Sequence, residues 1–368
     1  MKVAIIHDDL MRRGGAEKVA KTISNLYPDA PIYTLAYRPE STYPEFKDKN
    51  IITSWFQWFA RNEFLMKWLF FPLGLLAMRS IKLKGYDLVI MSTTYCAKYV
   101  KIQPGTRIVA YCYTPFRLAW NPMSYDIYKN SKGSIRWVFD NVVTILKNVD
   151  KKASTQIDYF IAMTQETRER LIAAYHPKNN IPIINPAVEL SNFSISSKIE
   201  DYYLLVSRFE PYKKVDLAIE AFNKNGRHLI IVGRGSQKEK LIGLAGKNIE
   251  FRENLSDLEL AKLYENCRGF IFPQYEDYGI TPLEANAAGR PVIAYNKGGV
   301  LDTMIPYHLD RKNATAYFFD EQSVESLNRA INAFEKVNFA PNKMRANAER
   351  FSEKRFKSEL KNFIDSIE

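Results

Sequence analysis

Short apolar runs, each followed by a stretch with helical spacing, recur along the whole chain. Runs of this length suit buried strands, and their alternation with helices is the mark of βαβ units and parallel sheets. In the first half the pattern predicts strands at Val3–His7, Ile32–Ala36, Ile51–Ser54, Asp87–Ser92, Arg107–Tyr113 and Tyr159–Thr164. In the second half it predicts them at Tyr202–Ser207, His228–Gly233, Ile249–Phe251, Gly269–Pro273, Pro291–Tyr295 and Ala316–Phe319. The expected fold class is α/β, with two doubly wound sheets in series. Between them, Asn185–Ser197 (NPAVELSNFSISS) replaces apolar periodicity with proline, serine and asparagine, as a boundary does. A length of 368 residues fits two domains better than one. A closing helix over Ser352–Ile367 carries Phe356, Leu360, Phe363, Ile364 and Ile367 at helical spacing and needs a surface to cover.

The segment Pro273–Gly289 (PQYEDYGITPLEANAAG) carries the most chemistry. It leaves a predicted strand and enters an alanine-rich helix, so its Tyr278-Gly279 turn sits at a strand's carboxyl end, where open α/β sheets bind ligands. The amides of Gly279, Ile280 and Thr281 would be open donors of the new helix, facing an anion such as a diphosphate. Glu284, one turn into the helix, is placed to accept hydroxyls of a ribose. Glu276, eight positions earlier, would face whatever the diphosphate carries.

Four other strand ends bear on the same chemistry. After Tyr202–Ser207, Arg208 and Lys213 are two cations at the sheet's carboxyl edge, suited to the charge that grows on a departing nucleoside diphosphate. HLIIVGRGS ends in Gly233-Arg234-Gly235, which lines a phosphate or base pocket or is only a tight turn. YNKGGVLDTM places Gly298 and Gly299 before another helix, and Arg252, Glu253 and Asn254 are candidates for base recognition. In the first half, Gly14 and Gly15 precede a helix whose amides favour negative charge. Asp8 and Asp9 are expected to cap a helix or to be solvated, not to bind a metal. Tyr113, Arg117 and Trp120, in VAYCYTPFRLAW, contact a sugar or an acceptor, or pack as aromatics between loops.

Charge and composition narrow the setting. Residues 1–190 hold 26 Lys+Arg against 16 Asp+Glu, net +10, whereas 191–368 hold 26 against 25, net +1. The basic half also carries all five tryptophans. Its stretch Thr53–Lys84 mixes Trp55, Trp58, Trp68, Phe70 and Phe71 with Arg61, Lys67, Arg79, Lys82 and Lys84, a pattern that suits an anionic membrane surface or a helix pair on the domain's own core. The apolar run Trp68–Met78, interrupted by Pro72, is too short to span a bilayer. Three cysteines without CxxC spacing argue against a disulfide framework or structural zinc, and the four histidines are not at metal-ligand spacing. No secretory signal is visible, since Lys2–Ile6 leads straight into a strand.

GGAE after the first strand, SRFEPYKK opening the second half, and EDYGITPLE together resemble family four of the retaining glycosyltransferases. The resemblance covers nearly the whole chain, and with YCYTPFRLAW it looks most like bacterial mannosyltransferases that build surface polysaccharides. It implies the GT-B fold, two doubly wound Rossmann-like domains facing a central cleft. The expected domains are an acceptor-binding one over 1–188, with the helix 352–368 crossing back to it, and a nucleotide-sugar-binding one over 189–351. It also implies that Glu284 holds the ribose, Arg208 and Lys213 the diphosphate, and Glu276 the donor sugar. Gly15 would approach the phosphates from the other domain, and the amides of Gly279, Ile280 and Thr281 would bind sugar or phosphate oxygens. The family is metal-independent and needs no cofactor beyond the nucleotide-sugar substrate, leaving GDP or UDP as product. Many relatives have histidine where this chain has Tyr113, and a phenol with a pKa of about 10 is no neutral-pH base.

The expected function is transfer of a hexose, with mannose from GDP-mannose as the leading choice, to a lipid-linked or polysaccharide acceptor with retention. The expected partners are the nucleotide sugar, a lipid-linked glycan and an anionic membrane surface, with no nucleic acid. The expected place is the cytoplasm, peripheral on the inner face of the membrane. A soluble sugar-phosphate synthase or phosphorylase of the same fold, and a non-catalytic sugar-nucleotide-binding partner, are the alternatives.

Overall fold

The strands predicted from the apolar runs assemble into two six-stranded parallel sheets with the same strand order. A computed structural model describes residues 1–61, 69 and 73–367. Contacts divide them into two units, one of Met1–Pro186 with Lys357–Glu368 and one of Ala187–Phe356.

In the first unit the strands are β1 (Val3–His7), β2 (Ile32–Thr34), β3 (Ile51–Thr53), β4 (Lys82–Leu83), β5 (Leu88–Thr93), β6 (Lys101–Ile102), β7 (Arg107–Cys112) and β8 (Tyr159–Ala162). The main sheet runs β3-β2-β1-β5-β7-β8, and β4 pairs with β6 in a separate two-stranded sheet. In the second unit β9 (Tyr203–Val206), β10 (Leu229–Val232), β11 (Ile249–Arg252), β12 (Gly269–Phe272), β13 (Val292–Tyr295) and β14 (Ala316–Phe319) run β11-β10-β9-β12-β13-β14. Both sheets wind outward from their first strand in one direction and then in the other, the Rossmann order. Strands β1, β5, β9, β10, β12 and β13 are almost wholly buried, because helices cover both faces of a parallel sheet. Several strands stop one or two residues short of the predicted carboxyl end. There the chain leaves the ladder: Leu35 donates to Asp8 O at 3.1 Å instead of continuing the β2 pairing. The β4–β6 pair escapes periodicity altogether, since two residues per strand carry no alternation.

Polar groups buried with the apolar core fix the connections. In the first unit Asp150 is fully buried and accepts from Tyr99 Oη (3.0 Å), Trp120 Nε1 (2.8 Å) and Tyr175 Oη (2.6 Å), with Lys98 Nζ at 2.9 Å. This joins the helix Gly133–Ser154 to the turn Ala97–Tyr99 and to the short helix Arg117–Trp120. In the second unit the buried guanidinium of Arg290 donates to the carbonyls of Glu265 (2.7 Å), Ser196 (2.8 Å) and Lys198 (2.9 Å), tying the entry segment to the sheet. The closing helix, Glu353–Ser366, begins in the second unit and contributes Lys357 onward to the first, where Phe363 meets the Tyr159 ring edge-on at 6.0 Å.

Replacing Asp150 by asparagine leaves the Lys98 ammonium buried without its counter-charge, a loss on the order of 3–5 kcal/mol. All five tryptophans lie in the first unit, so their fluorescence reports its unfolding alone. Asp150→Asn is expected to move the urea midpoint of that signal down by the corresponding amount. A midpoint that stays in place would show that the network carries no such load.

Candidate functional site

In the second sheet the winding direction reverses between β9 and β12. Loops that leave the carboxyl ends of two such strands diverge, and the crevice between them is where open α/β sheets take ligands. Both segments singled out in the second half, Ser207–Lys214 after β9 and Pro273–Gly279 after β12, leave from these strands.

The first loop is shaped by Pro211, whose fixed φ opens the one-turn helix Pro211–Lys213, and by Lys214, left-handed at φ 55°. Arg208 is exposed and donates to Tyr212 Oη at 2.9 Å. Lys213 is buried, its ammonium 5.0 Å from the Tyr212 ring centroid and in direct contact with Glu276 Oε1. Two residues read separately in the sequence, 63 positions apart, are thus an ion pair in the crevice.

Glu276 is set by its backbone. It bridges Gly298, and its carbonyl accepts from Gly299 N at 2.9 Å. A Cβ on Gly298 would stand 2.4 Å from Glu276 O, and one on Gly299 would stand 2.3 Å from Asp277 O. Gly298 is also left-handed, at φ 87°. The Gly-Gly pair after β13 therefore supports the carboxylate through backbone contact. Gly233 and Gly235 play the same part under the other loop: a Cβ on Gly233 would fall 1.8 Å from Ser207 O, and one on Gly235 2.6 Å from Phe209 N. The loop after β10 is joined to the loop after β9 by Phe209 N donating to Arg234 O at 2.9 Å.

The helix Ile280–Ala287 starts at Gly279, left-handed at φ 87°. Its third residue, Pro282, has no N–H, so Gly279, Ile280 and Thr281 supply the amide donors of this end. All three are partly exposed, whereas Tyr278 beside them is buried and its phenol is pushed well above its ordinary pKa by desolvation. Glu284 projects from the same helix and accepts from Tyr264 Oη at 3.0 Å. Burial, with the Glu284 charge adding to it, pushes the Tyr264 phenol up, so it stays a donor. Tyr264 lies on the helix Asp257–Asn266, 20 positions upstream, and nothing in its local sequence marks it. Gln274 was also unmarked. It is buried, and among the described residues its Oε1 has no hydrogen-bond partner. Of the base-recognition candidates, Arg252 pairs with Glu250 (2.6 Å), Glu253 with Lys238 (2.7 Å), and Asn254 is left-handed.

The first unit holds the remaining candidates. Gly14 caps the helix Gly15–Leu26 in extended conformation, and Gly15, its first residue, is exposed. Tyr113 Oη lies 2.8 Å from Ser92 Oγ and donates to Ala16 O at 3.0 Å, tying this helix start to the sheet. Its hydroxyl is thus engaged inside the unit. Trp120 packs edge-on to Tyr175 besides its bond to Asp150, the aromatic-packing alternative. The solvated reading of Asp8 and Asp9 is overturned. Asp8 is buried and accepts from the amides of Thr94 (2.5 Å), Tyr95 (3.0 Å), Cys96 (2.9 Å) and Ala97 (2.7 Å), capping a turn far away in sequence and not the helix that follows it. Asp9 is buried too, pairing with Arg12 at 3.0 Å and accepting from Tyr95 Oη.

In the aromatic stretch, Trp55 and Trp58 are exposed while Leu75, Ala77 and Met78 are buried in the core. Lys67, Trp68, Phe70, Phe71 and Pro72 lie outside the described residues. Among the described residues no helix is long and apolar enough to cross a membrane, and no group of His, Cys, Asp or Glu is placed to hold a metal ion.

Residues 189–351, nearly all of the second unit, match the family described as glycosyl transferases group 1. Over 83% of its length the chain is 25% identical to the alpha-1,3/1,6-mannosyltransferase ALG2 of Dictyostelium discoideum, covering 84% of that protein. The second unit belongs to this family of glycosyltransferases. It is also 25% identical, over 52% of its length and 56% of the relative's, to the GDP-mannose-dependent alpha-(1-6)-phosphatidylinositol monomannoside mannosyltransferase of Mycobacterium tuberculosis. HepE of Anabaena, solved in complex with UDP, matches the whole glycosyltransferase chain with a TM-score of 0.72, 16% identity and full coverage of both. The two Rossmann-like units of this glycosyltransferase are those of the GT-B fold.

The glycine contacts make a prediction about the glycosyltransferase that needs no substrate. Gly299→Ala forces a methyl into the Asp277 carbonyl and is expected to cost on the order of 1–3 kcal/mol. Gly243→Ala, in the helix Lys238–Leu244 with nothing near its Cβ, should be neutral or stabilising by up to ~1 kcal/mol. Denaturation followed by circular dichroism separates the two. Equal midpoints would mean that the glycine pair does not set the Glu276 loop.

Proposed function

We propose that the chain is a retaining, metal-independent hexosyltransferase that moves mannose from GDP-mannose to a lipid-linked or polysaccharide acceptor in cell-surface glycan biosynthesis. The observation that carries this reading is the Lys213–Glu276 contact at the reversal of the second sheet, next to the helix start at Gly279–Thr281. Mannose and GDP are favoured because the relatives above are mannosyltransferases, one of them GDP-mannose-dependent. A second reading, a soluble sugar-phosphate synthase, is supported by 30% identity over 49% of the chain to a probable sucrose-phosphate synthase of Thermosipho melanesiensis. The exposed Trp55 and Trp58 favour the membrane-side acceptor over it.

On this reading each group has one task. The Gly279, Ile280 and Thr281 amides meet donor oxygens, Glu284 takes the ribose hydroxyls, and Tyr264 orients that carboxylate. Gly14, Gly15 and Tyr113 are assigned to substrate binding as well, with Gly233 shaping the loop of Arg208. Arg208 and Lys213 bear the charge that grows on the diphosphate as the bond to the sugar breaks. Glu276 exchanges its ion pair for hydroxyls of the sugar. No side chain acts as nucleophile: the acceptor oxygen bonds to the anomeric carbon on the face the diphosphate leaves, and the departing phosphate oxygen takes the acceptor's proton. The nucleotide sugar is substrate, and no cofactor takes part.

Thermal shift with GDP-, UDP- and ADP-sugars tests the donor, since a ligand of the folded state raises its melting temperature. GDP-mannose is expected to give the largest shift, and a larger shift with a UDP-sugar would overturn that choice. Lys213→Ala is expected to reduce turnover on the order of 10²–10³-fold with donor and acceptor saturating. Turnover within a factor of two of the wild type would remove Lys213 from the chemistry.

Tyr264→Phe deletes only the hydroxyl on Glu284. It is expected to weaken GDP binding about tenfold and to reduce the preference for GDP over 2′-deoxy-GDP, as removal of a bond to a charged group should. Should the variant keep the wild-type preference, Tyr264 does not orient the carboxylate. A wild type without preference would remove the ribose from Glu284.

A further inference from the structure

The helix Gly133–Ser154 buries Val143, Leu146, Asp150 and Ser154 against the first unit and leaves an apolar stripe outside. Trp137 is 68% exposed, Ile135 61%, Ile145 59%, Val138 50% and Val149 39%. Val138, Ile145 and Val149 fall at i, i+7 and i+11, one line along the helix, with Trp137 beside its start. Met123 and Ile127, just before the helix, are exposed as well. A solvated helix face does not collect this much apolar surface without a partner.

The charges around the stripe select that partner. Residues 129–152 hold six cations and two acids. One acid, Asp150, is buried against Lys98, and the other, Asp140, is taken by Arg136 at 3.0 Å and Tyr128 Oη at 2.5 Å. Lys129, Lys132, Lys147, Lys151 and Lys152 are exposed. Two copies of this chain meeting on the stripe would bring lysines against lysines, which opposes self-association. Lysines beside a tryptophan and aliphatic side chains match a surface with phosphate outside and acyl chains beneath.

We propose that the Trp137–Lys152 face of this helix docks on an anionic phospholipid surface. It is separate from the Trp55–Trp58 region to which the composition pointed. The inference rests on the lipid-linked acceptor for its purpose, but its test does not depend on turnover.

The full chain is floated with phosphatidylcholine vesicles with and without phosphatidylglycerol, at low and high salt, as wild type, as Trp137→Ser/Ile145→Ser and as Trp55→Ser/Trp58→Ser. Wild type is expected to float with the anionic vesicles only and to be released by salt. The helix variant, whose altered residues are outside the core, should float at least ~10-fold less while releasing GDP from GDP-mannose in water as wild type does. Wild type that stays in solution, or a helix variant that floats as wild type, overturns the proposal. So does a wild-type dimer in size exclusion that the helix variant dissolves, which would make the face a contact between copies. No GDP release by either protein, with flotation behaving as expected, would sink the catalytic reading and leave the docking face standing.

Discussion

Everything at the candidate site depends on the change of winding direction between β9 and β12. A parallel sheet wound one way only would send the two loops to the same side, and their backbones would fill the space between them. Here they part, and one buried cation meets one carboxylate across the gap. Holding that contact requires both loops to lie flat on their neighbours. This is why Gly233 and Gly235 lie under Ser207–Phe209 and Gly298 and Gly299 under Glu276–Asp277, at distances no Cβ tolerates.

The first unit has the same strand order and treats the equivalent position differently. The carboxylate of Asp8, at the end of β1, fills the reversal next to β5 and is consumed by four amides and the Thr93 hydroxyl. A group with its acceptor capacity spent on its own fold is a fastener. In the second unit the polar groups at this position are a cation, a carboxylate and the start of a helix. One architecture thus spends the carboxylate at this position on its own backbone in one unit and sets a carboxylate against a cation in the other.

Strands β1, β5, β9, β10, β12 and β13 were legible because each is an apolar run buried on both faces, so composition alone marks it. Their carboxyl ends were not, because the chain leaves the ladder according to loop contacts. The placement of Glu276 before the Gly279 turn and Glu284 after it could be read because both lie within eight residues of each other. The pairing of Lys213 with Glu276, the hold of Tyr264 on Glu284 and the capture of Asp8 by Thr94–Ala97 could not. Each joins segments whose distance in sequence says nothing of their distance in space. The glycine pair at 298 and 299 was visible as a pair, but a glycine that admits a ligand and one that admits a neighbouring backbone look alike in sequence. The stripe on the helix Gly133–Ser154 stayed hidden because its outward apolar residues share a helix with inward ones, and only burial tells the two faces apart.

The ion pair across the crevice has a bearing on what the enzyme holds after turnover. On the proposed reading, a diphosphate that draws Lys213 away from Glu276 leaves a partly buried carboxylate without its counter-charge. An intact sugar nucleotide compensates, because hydroxyls of its hexose donate to that carboxylate. The bare nucleoside diphosphate cannot. The pair therefore tilts affinity from the spent carrier toward the loaded one, and relief from product inhibition is built into the resting charge balance of the site.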